Sequence, residues 1–213
     1  MNLTLHNYGR SGAAWRVRIA LNLKKIEYDQ VTHNLLADEQ RAPDYVALAP
    51  QGLVPAIEAD GVVLTQSLAI IEWLEERWPE PPLLPRDPND RALVRAMADL
   101  IACDIHPLNN LRVRKALKKD LGADEAALQR WAERWISDGL GALETLVARY
   151  GAGFAFGDRP TIADCCIVPQ IGSAQRFGVA LEAFPRLLDV AEACAALPPF
   201  AEAHPDRQRG SNG

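Results

Sequence analysis

The chain has 213 residues, of which 48% are hydrophobic and 24% charged, and its net charge is −5. This is ordinary globular composition, long enough for one large or two small domains with a sizeable core. The negative balance argues against nucleic acid as the main partner, no apolar run is long enough to span a bilayer, and Arg10, Arg16 and Arg18 interrupt the first segment in a way a signal peptide does not tolerate.

Read in chain order, "NLTLHNY" turns Leu3 and Leu5 to one side and predicts a short strand. "GRSGAAWRVRIALNLKK" predicts a helix on which Trp15, Ile19 and Leu23 form an apolar line widened by Val17, Ala20 and Leu21. Lys24 and Lys25 fall in its last turn, where positive charge suits the helix dipole. "IEYDQVTH" reads as a second strand, parallel to the first through a right-handed crossover. "LVPAIEADGVVLTQS" reads as two strands joined by an Asp60-Gly61 hairpin turn. "SLAIIEWLEERW" is an amphipathic helix with Ser67 as its expected N-cap.

"PEPPLLPRDPND" then holds five of the fifteen prolines and reads as a linker. Beyond it the signals are helical: a long run kinked near Pro107, a second from Asp124 to Tyr150, and a third opening with Thr161 and Asp164 at capping-box spacing. "LLDVAEACAAL" reads as a short last helix, followed by a polar, mobile tail from Pro205. The expected architecture is an α/β domain over residues 1–80, a linker over 81–86 and an all-α domain over 87–213. The cysteines Cys103, Cys165, Cys166 and Cys194 form no CxxC pair, so neither a disulfide framework nor a metal site is expected, only small buried thiols in a cytoplasmic protein.

The first helix begins with Ser11, Gly12, Ala13 and Ala14, three of them almost without side chain. The plain reading of Ser11 is an N-cap. A helix start stripped of bulk also presents free N–H groups to an anion. A thiolate suits it: a free thiol titrates near ~8.5, the helix terminus contributes about 0.3–2 kcal/mol and a hydroxyl donating to sulfur about 1.5–3 kcal/mol, together lowering the thiol pKa by roughly two units. No cysteine lies nearby in sequence, so the thiol would arrive on a ligand. "LVPAI" puts Val54 and Pro55 at the head of a strand, where a cis peptide would present the Val54 N–H and C=O to an extended peptide; the alternative is a simple edge-strand proline. Gln66 and Ser67 mark a second helix N-terminus fit for a carboxylate, unless Ser67 is only a cap.

The layout resembles the glutathione transferase family. "RSGAAWRVRIALNLKKIEYD" is similar to the signature of its zeta class, Ser-Ser-Cys-Ser-Trp-Arg-Val-Arg-Ile-Ala-Leu, and "QSLAIIEWLEE", "CDIHPLNNLRV", "GDRPTIADCCIVPQ" and "HPDRQ" extend the likeness along the chain. The resemblance implies a thioredoxin-like N-terminal domain, a helical C-terminal domain, a homodimer, glutathione as coenzyme, and cis–trans isomerisation of a maleyl keto acid in aromatic catabolism. It implies Ser11 and Arg10 at the thiol, Gln40, Gln51, Val54, Pro55, Gln66, Ser67, His106 and Asn110 toward glutathione, and Arg10, Arg112 and Arg176 toward the small-molecule substrate. On the residues alone, Arg112 reads as part of a solvated face with Arg114, Lys115, Lys118 and Lys119, His106 as a capping or core histidine, and Arg176 as a charge answering the helix dipole. Gly12, Ala13 and Ala14 depart from the zeta pattern, which has Ser-Cys-Ser there, so a protein thiol in this loop is excluded and Ser11 alone remains. The competing readings are a transferase or peroxidase acting on apolar electrophiles, and a glutathione-binding module without activity.

Overall fold

A computed structural model of the chain describes residues 3–208. It divides into two compact units, one running to Leu83 and taking up the stretch from Ala195, the other spanning Leu84–Cys194. The sequence reading carried the helical domain through to residue 213 instead.

The first unit is built on a four-stranded sheet in the order β2-β1-β3-β4. β1 (Leu3–Asn7) pairs in parallel with β2 (Asp29–Thr32) and antiparallel with β3 (Ala56–Ala59), which pairs antiparallel with β4 (Val62–Thr65). Leu3 and Leu5 point into the core, 3% and 0% exposed, as the alternation requires. Asp60 and Gly61, with φ of 50° and 80°, form the two-residue turn with positive φ at both positions that matches strand twist. β3 is internal to the sheet, so Pro55 precedes a central strand and the edge-strand reading fails.

α1 (Gly12–Leu23) packs against α3 (Ser67–Arg77) and α9 (Pro198–Ala203). It is therefore buried nearly all round, where the sequence suggested one apolar face. Its two inner arginines are buried with it. Arg18 satisfies its guanidinium with three donated hydrogen bonds, to Ala203 O at 3.0 Å, Asn7 Oδ1 at 2.6 Å and Gly9 O at 3.0 Å. Lys24 is the C-cap of α1, but it does not serve the dipole from the surface. Its ammonium is buried and donates to Glu75 Oε2 at 2.7 Å, Trp78 O at 2.6 Å and Pro81 O at 3.0 Å, fastening α1 to the chain that leaves α3. α2 (Pro43–Leu48) and α9, each six residues, escaped the sequence reading because a helix that short has no periodicity of its own.

The second unit is helical. α4 (Pro88–Asp99) is capped by Asp87, whose side chain accepts from Asn89 N and Asp90 N. The kink expected near Pro107 is a π-helical turn, Leu100–Ile105, followed by a 3₁₀ turn, Pro107–Asn109, before α5 (Leu111–Leu121). α6 (Glu125–Tyr150) is the long helix against which that turn rests. Ile105 fits into the gap left by Gly139, where a Cβ would clash with the Ile105 side chain. α7 (Ile162–Arg176) opens on the expected capping box: the Thr161 side chain accepts at the first turn, while Asp164 accepts from Thr161 N at 2.7 Å. Asp164 also accepts from Thr161 Oγ1 at 2.8 Å and Ala155 N at 2.8 Å, tying the helix start to the preceding loop. α8 (Pro185–Ala195) follows. The tail expected to be mobile from Pro205 begins as a 3₁₀ turn, Pro205–Arg207; residues 209–213 lie outside the described residues.

Candidate active site

Ser11 is the N-cap of α1, with φ −70° and ψ 116°, and its Oγ accepts from Ala14 N at 3.2 Å. The helical ladder begins with Trp15 N donating to Ser11 O at 2.9 Å. The N–H groups of Gly12 and Ala13 therefore precede the ladder, at the positive end of the helix. The capping bond uses a lone pair of the Ser11 hydroxyl and leaves its proton to donate elsewhere. The plain capping role and the activating role are thus compatible in one side chain. Arg10, exposed, stands immediately before it.

The other first-unit candidates fall on the loops before β3 and α3, except Gln40, which lies in the 3₁₀ turn Glu39–Arg41 between β2 and α2. The Val54–Pro55 peptide is cis, and Val54 lies just before the first ladder pair of β3, Ala56 with His6. Gln66, not Ser67, is the N-cap of α3 and makes no capping hydrogen bond with its side chain. It holds φ 69°, a left-handed conformation uncommon outside glycine and found where a site over-determines the backbone. Its amide donates to Gln51 Oε1 at 2.7 Å, so these two exposed candidates are brought together. Ser67 is buried at the first helical position, where its hydroxyl accepts from Arg16 at 3.3 Å. Gln40 is 8% exposed; its amide nitrogen donates to Asp38 Oδ1 at 3.2 Å while its buried Oε1 has no partner among the described residues. A buried acceptor without a donor is costly in isolation and suits a ligand N–H.

In the second unit, His106, Asn110 and Arg112 lie on the stretch from the π turn into α5. Trp131 Nε1 donates to Leu108 O at 2.8 Å and Asn109 Nδ2 to Ile105 O at 3.1 Å, which fix that stretch against α6 and the π turn. Asn110 caps α5, its Oδ1 accepting from Arg112 N at 3.1 Å, which leaves its amide NH₂ to donate to a ligand. Arg112 is exposed in the first turn of α5. Arg176 is the last residue of α7, exposed, and the next residue, Phe177, carries the Arg114 guanidinium 4.6 Å from its ring centroid. That contact couples the start of α5 to the end of α7 and was not legible beforehand, since Arg114 and Phe177 are far apart in sequence.

Three cysteines are buried as expected, but Cys103 is exposed on the π turn. Burial pushes the Cys165 and Cys194 thiols well up, so neither supplies a thiolate at neutral pH. Among the described residues no group of histidine, cysteine or carboxylate side chains is arranged to hold a metal ion, and no helix is long and apolar enough to cross a membrane.

Comparison with known proteins agrees with this layout. Residues 10–77 match the family model "Glutathione S-transferase, N-terminal domain" and residues 112–193 match "Glutathione S-transferase, C-terminal domain". The maleylacetoacetate isomerase of Pseudomonas aeruginosa is 49% identical over 97% of this chain and 97% of its own. A holo structure of maleyl pyruvate isomerase, described as a bacterial glutathione-S-transferase of the zeta class, superposes with a TM-score of 0.94 at 47% identity, over 98% of this chain and 99% of that one. The maleylacetoacetate isomerase of Anaeromyxobacter dehalogenans, solved with glutathione in its active site, superposes with a TM-score of 0.89 at 46% identity, over 99% of this chain and 98% of that one. The chain belongs to the glutathione S-transferase family, in its zeta class.

Proposed function

We propose that this zeta-class chain is a glutathione-dependent cis–trans isomerase of a maleyl keto acid, maleylpyruvate or maleylacetoacetate, serving aromatic catabolism in the cytoplasm as a homodimer. Relatives that share nearly half its residues over nearly their full length carry that activity in their names, which favours it over a transferase for apolar electrophiles. The observation on this chain that carries the reading is the start of α1: a capped but bulk-free helix end whose serine hydroxyl still has a proton to give.

The residues present fit glutathione. Gly12 and Ala13 put no bulky side chain at the helix end, the Gln40 Oε1, without a donor among the described residues, calls for an N–H, and Gln66 and Ser67 open α3 toward a carboxylate. Val54, Gln51, His106 and Asn110 are the remaining candidates for holding the tripeptide. When bound, glutathione supplies the thiol nucleophile that adds reversibly to the carbon–carbon double bond of the cis acid. Ser11 donates its hydroxyl proton toward the sulfur, and the α1 terminus adds its partial positive charge. Together they hold the thiol ionised near neutral pH, a state that the free thiol reaches only near pH ~8.5. Arg10 adds positive charge beside Ser11. Arg112 and Arg176 bind the substrate's carboxylate and the keto oxygen on which negative charge develops, because a guanidinium grips planar oxygens in pairs.

The test is to mix the protein with maleylpyruvate or maleylacetoacetate, with and without glutathione, and to follow the enedione absorbance and the thiol titre. Turnover that requires glutathione without consuming it is expected. Glutathione consumption with a halogenated aromatic substrate, and no isomerisation, overturns the reading in favour of transfer. Arg176→Ala is expected to raise the substrate KM strongly with an unchanged melting temperature; an unchanged KM removes that residue from the site.

A further inference from the structure

The sheet of the first unit carries a chain of titratable side chains that the reaction does not use directly. His6 on β1 pairs in register with Val31 on β2 and Ala56 on β3. His33 and Glu58 stand two residues beyond those partners, so both reach His6 as diagonal neighbours on one face of the sheet. His6 Nδ1 lies 2.8 Å from His33 Nε2, and His6 Nε2 lies 2.8 Å from Glu58 Oε1. The two rings stack with centroids 5.1 Å apart. At these distances the three groups bond one another directly and leave no space for a metal ion between them.

The chain ends where the candidate glutathione loops begin. Tyr45 of α2 covers both rings, its centroid 4.2 Å from that of His33 and 5.5 Å from that of His6. Its hydroxyl donates to Leu53 O at 2.7 Å, one residue before Val54. From His33 the backbone passes directly into the turn that carries Gln40, and Asn34 N donates to Glu39 Oε2 at 2.6 Å within it. Tyr8, Tyr45, Ala49, Val54 and Ala56 form one small apolar cluster, so a shift of Tyr45 is felt at Val54.

Proton counting gives the chain a switch. Glu58 accepts from His6 Nε2–H, and one proton lies between His6 Nδ1 and His33 Nε2. A first added proton goes to the outer nitrogen of His33, Nδ1, and leaves both bonds in place. A second has no place on the two rings except the shared axis, where two N–H groups and two positive rings would face each other across 2.8 Å, so the rings must part. The groups facing the pair are Glu58 from β3, Glu39 from the turn after β2, and Tyr45 from α2. Burial and the neighbouring His6 hold His33 below the ordinary histidine value, with Glu39 opposing them. Burial raises Tyr45 to about 12, so it stays neutral throughout.

We propose that the Glu58–His6–His33 chain is a positioning device for the glutathione-binding loops of residues 33–54, and that a second proton entering it releases those loops and weakens glutathione binding in mild acid. The ligand in this statement rests on the reading of the preceding subsection; the chain and its proton do not. Two measurements keep them apart. In ligand-free protein, histidine-ring NMR at pH about 7.5 is expected to show one proton shared by nitrogens of His6 and His33, lost on acidification below the ordinary histidine value of ~6.5, together with shifts of the Gln40, Tyr45 and Leu53 amides. No shared proton, or its loss without those shifts, overturns the proposal. By calorimetry, glutathione affinity is expected to be level above that value and to fall about tenfold per pH unit below the second protonation. His33→Gln, whose amide can donate to His6 but does not titrate, is expected to match the unsubstituted protein at pH about 7.5 and to stay level in acid. A level profile for the unsubstituted protein, or an unaltered slope in His33→Gln, refutes the switch. Glu58→Gln gives a second handle if His33→Gln fails to fold: without the carboxylate that favours the protonated rings, the fall is expected to begin roughly half a pH unit lower, modest because Glu58 is half exposed, and an unmoved profile counts against the chain. Absence of glutathione binding at every pH would refute the ligand reading, with the NMR still deciding the chain.

Discussion

Removing the Ser11 hydroxyl tests the chemistry most directly, provided its two duties are separated. Its Oγ accepts from Ala14 N at 3.2 Å as a helix cap, and its proton is assigned to the sulfur of bound glutathione. Ser11→Ala loses both duties, and the cap alone costs about 1 kcal/mol of stability. Ser11→Gly keeps stability to within a few tenths of a kcal/mol, since glycine is tolerated at this position, yet it has no hydroxyl. A hydrogen bond to a charged group is worth about 1.5–3 kcal/mol, and ~1.4 kcal/mol is one pKa unit. The thiol pKa of bound glutathione is therefore expected to rise by about one to two units in Ser11→Gly. The helix end alone cannot compensate, because it supplies at most about 2 kcal/mol and is already counted in the unsubstituted protein. The assay is the ultraviolet absorbance of the bound thiolate against pH, with kcat/KM over the same range. At neutral pH kcat/KM should fall by roughly 10- to 100-fold, and the loss should be largely recovered at high pH, where any thiol ionises. A thiolate titration in Ser11→Gly that overlays that of the unsubstituted protein would refute the role given to Ser11.

Two further predictions concern stability. Lys24→Met removes the counter-charge of the buried Glu75 carboxylate, which keeps its hydrogen bond from Leu83 N, and leaves Trp78 O and Pro81 O without their donor, so a loss of about 3–5 kcal/mol is expected by denaturant titration, with Lys24→Met/Glu75→Leu recovering much of it; a single variant within 1 kcal/mol (about one ordinary hydrogen bond) of the parent would show the pair to be dispensable. Burial raises the Asp164 carboxyl to about 6, against the hydrogen bonds donated to it from Ala155 N, Thr161 N and Thr161 Oγ1, among others. A folded-state pKa above the unfolded one means that the folded chain keeps a proton the unfolded chain has released, so this group's contribution falls as pH rises from about 4 to 6 and is level above. The stability difference between the parent and Asp164→Asn should follow that curve; a difference independent of pH would place the Asp164 carboxyl at its ordinary value.

The local grammar of the chain was readable without coordinates. Alternation set Leu3 and Leu5 inward, Asp60-Gly61 closed a hairpin, Ser11 capped α1, and the three-residue spacing of Thr161 and Asp164 made a capping box. Each is decided by groups within one turn or one strand pair, where sequence separation and spatial separation coincide. The signature around the first helix carried the family in the same way, although Gly12, Ala13 and Ala14 replace its Ser-Cys-Ser. What only the tertiary structure decided involves partners that sequence leaves far apart. Lys24 became a buried tether because residues 75, 78 and 81 returned to it, and Arg18 found its acceptor at residue 203. Ser67 gave the capping position to Gln66 once Arg16 took its hydroxyl, and α2 and α9 exist because packing stabilises helices too short to nucleate alone. His6 acquired its chemistry from residues 27 and 52 positions away. A side chain's charge and shape are written in the sequence; its proton, its burial and its partner are set by what folding brings within 3 Å of it, about one hydrogen-bond length.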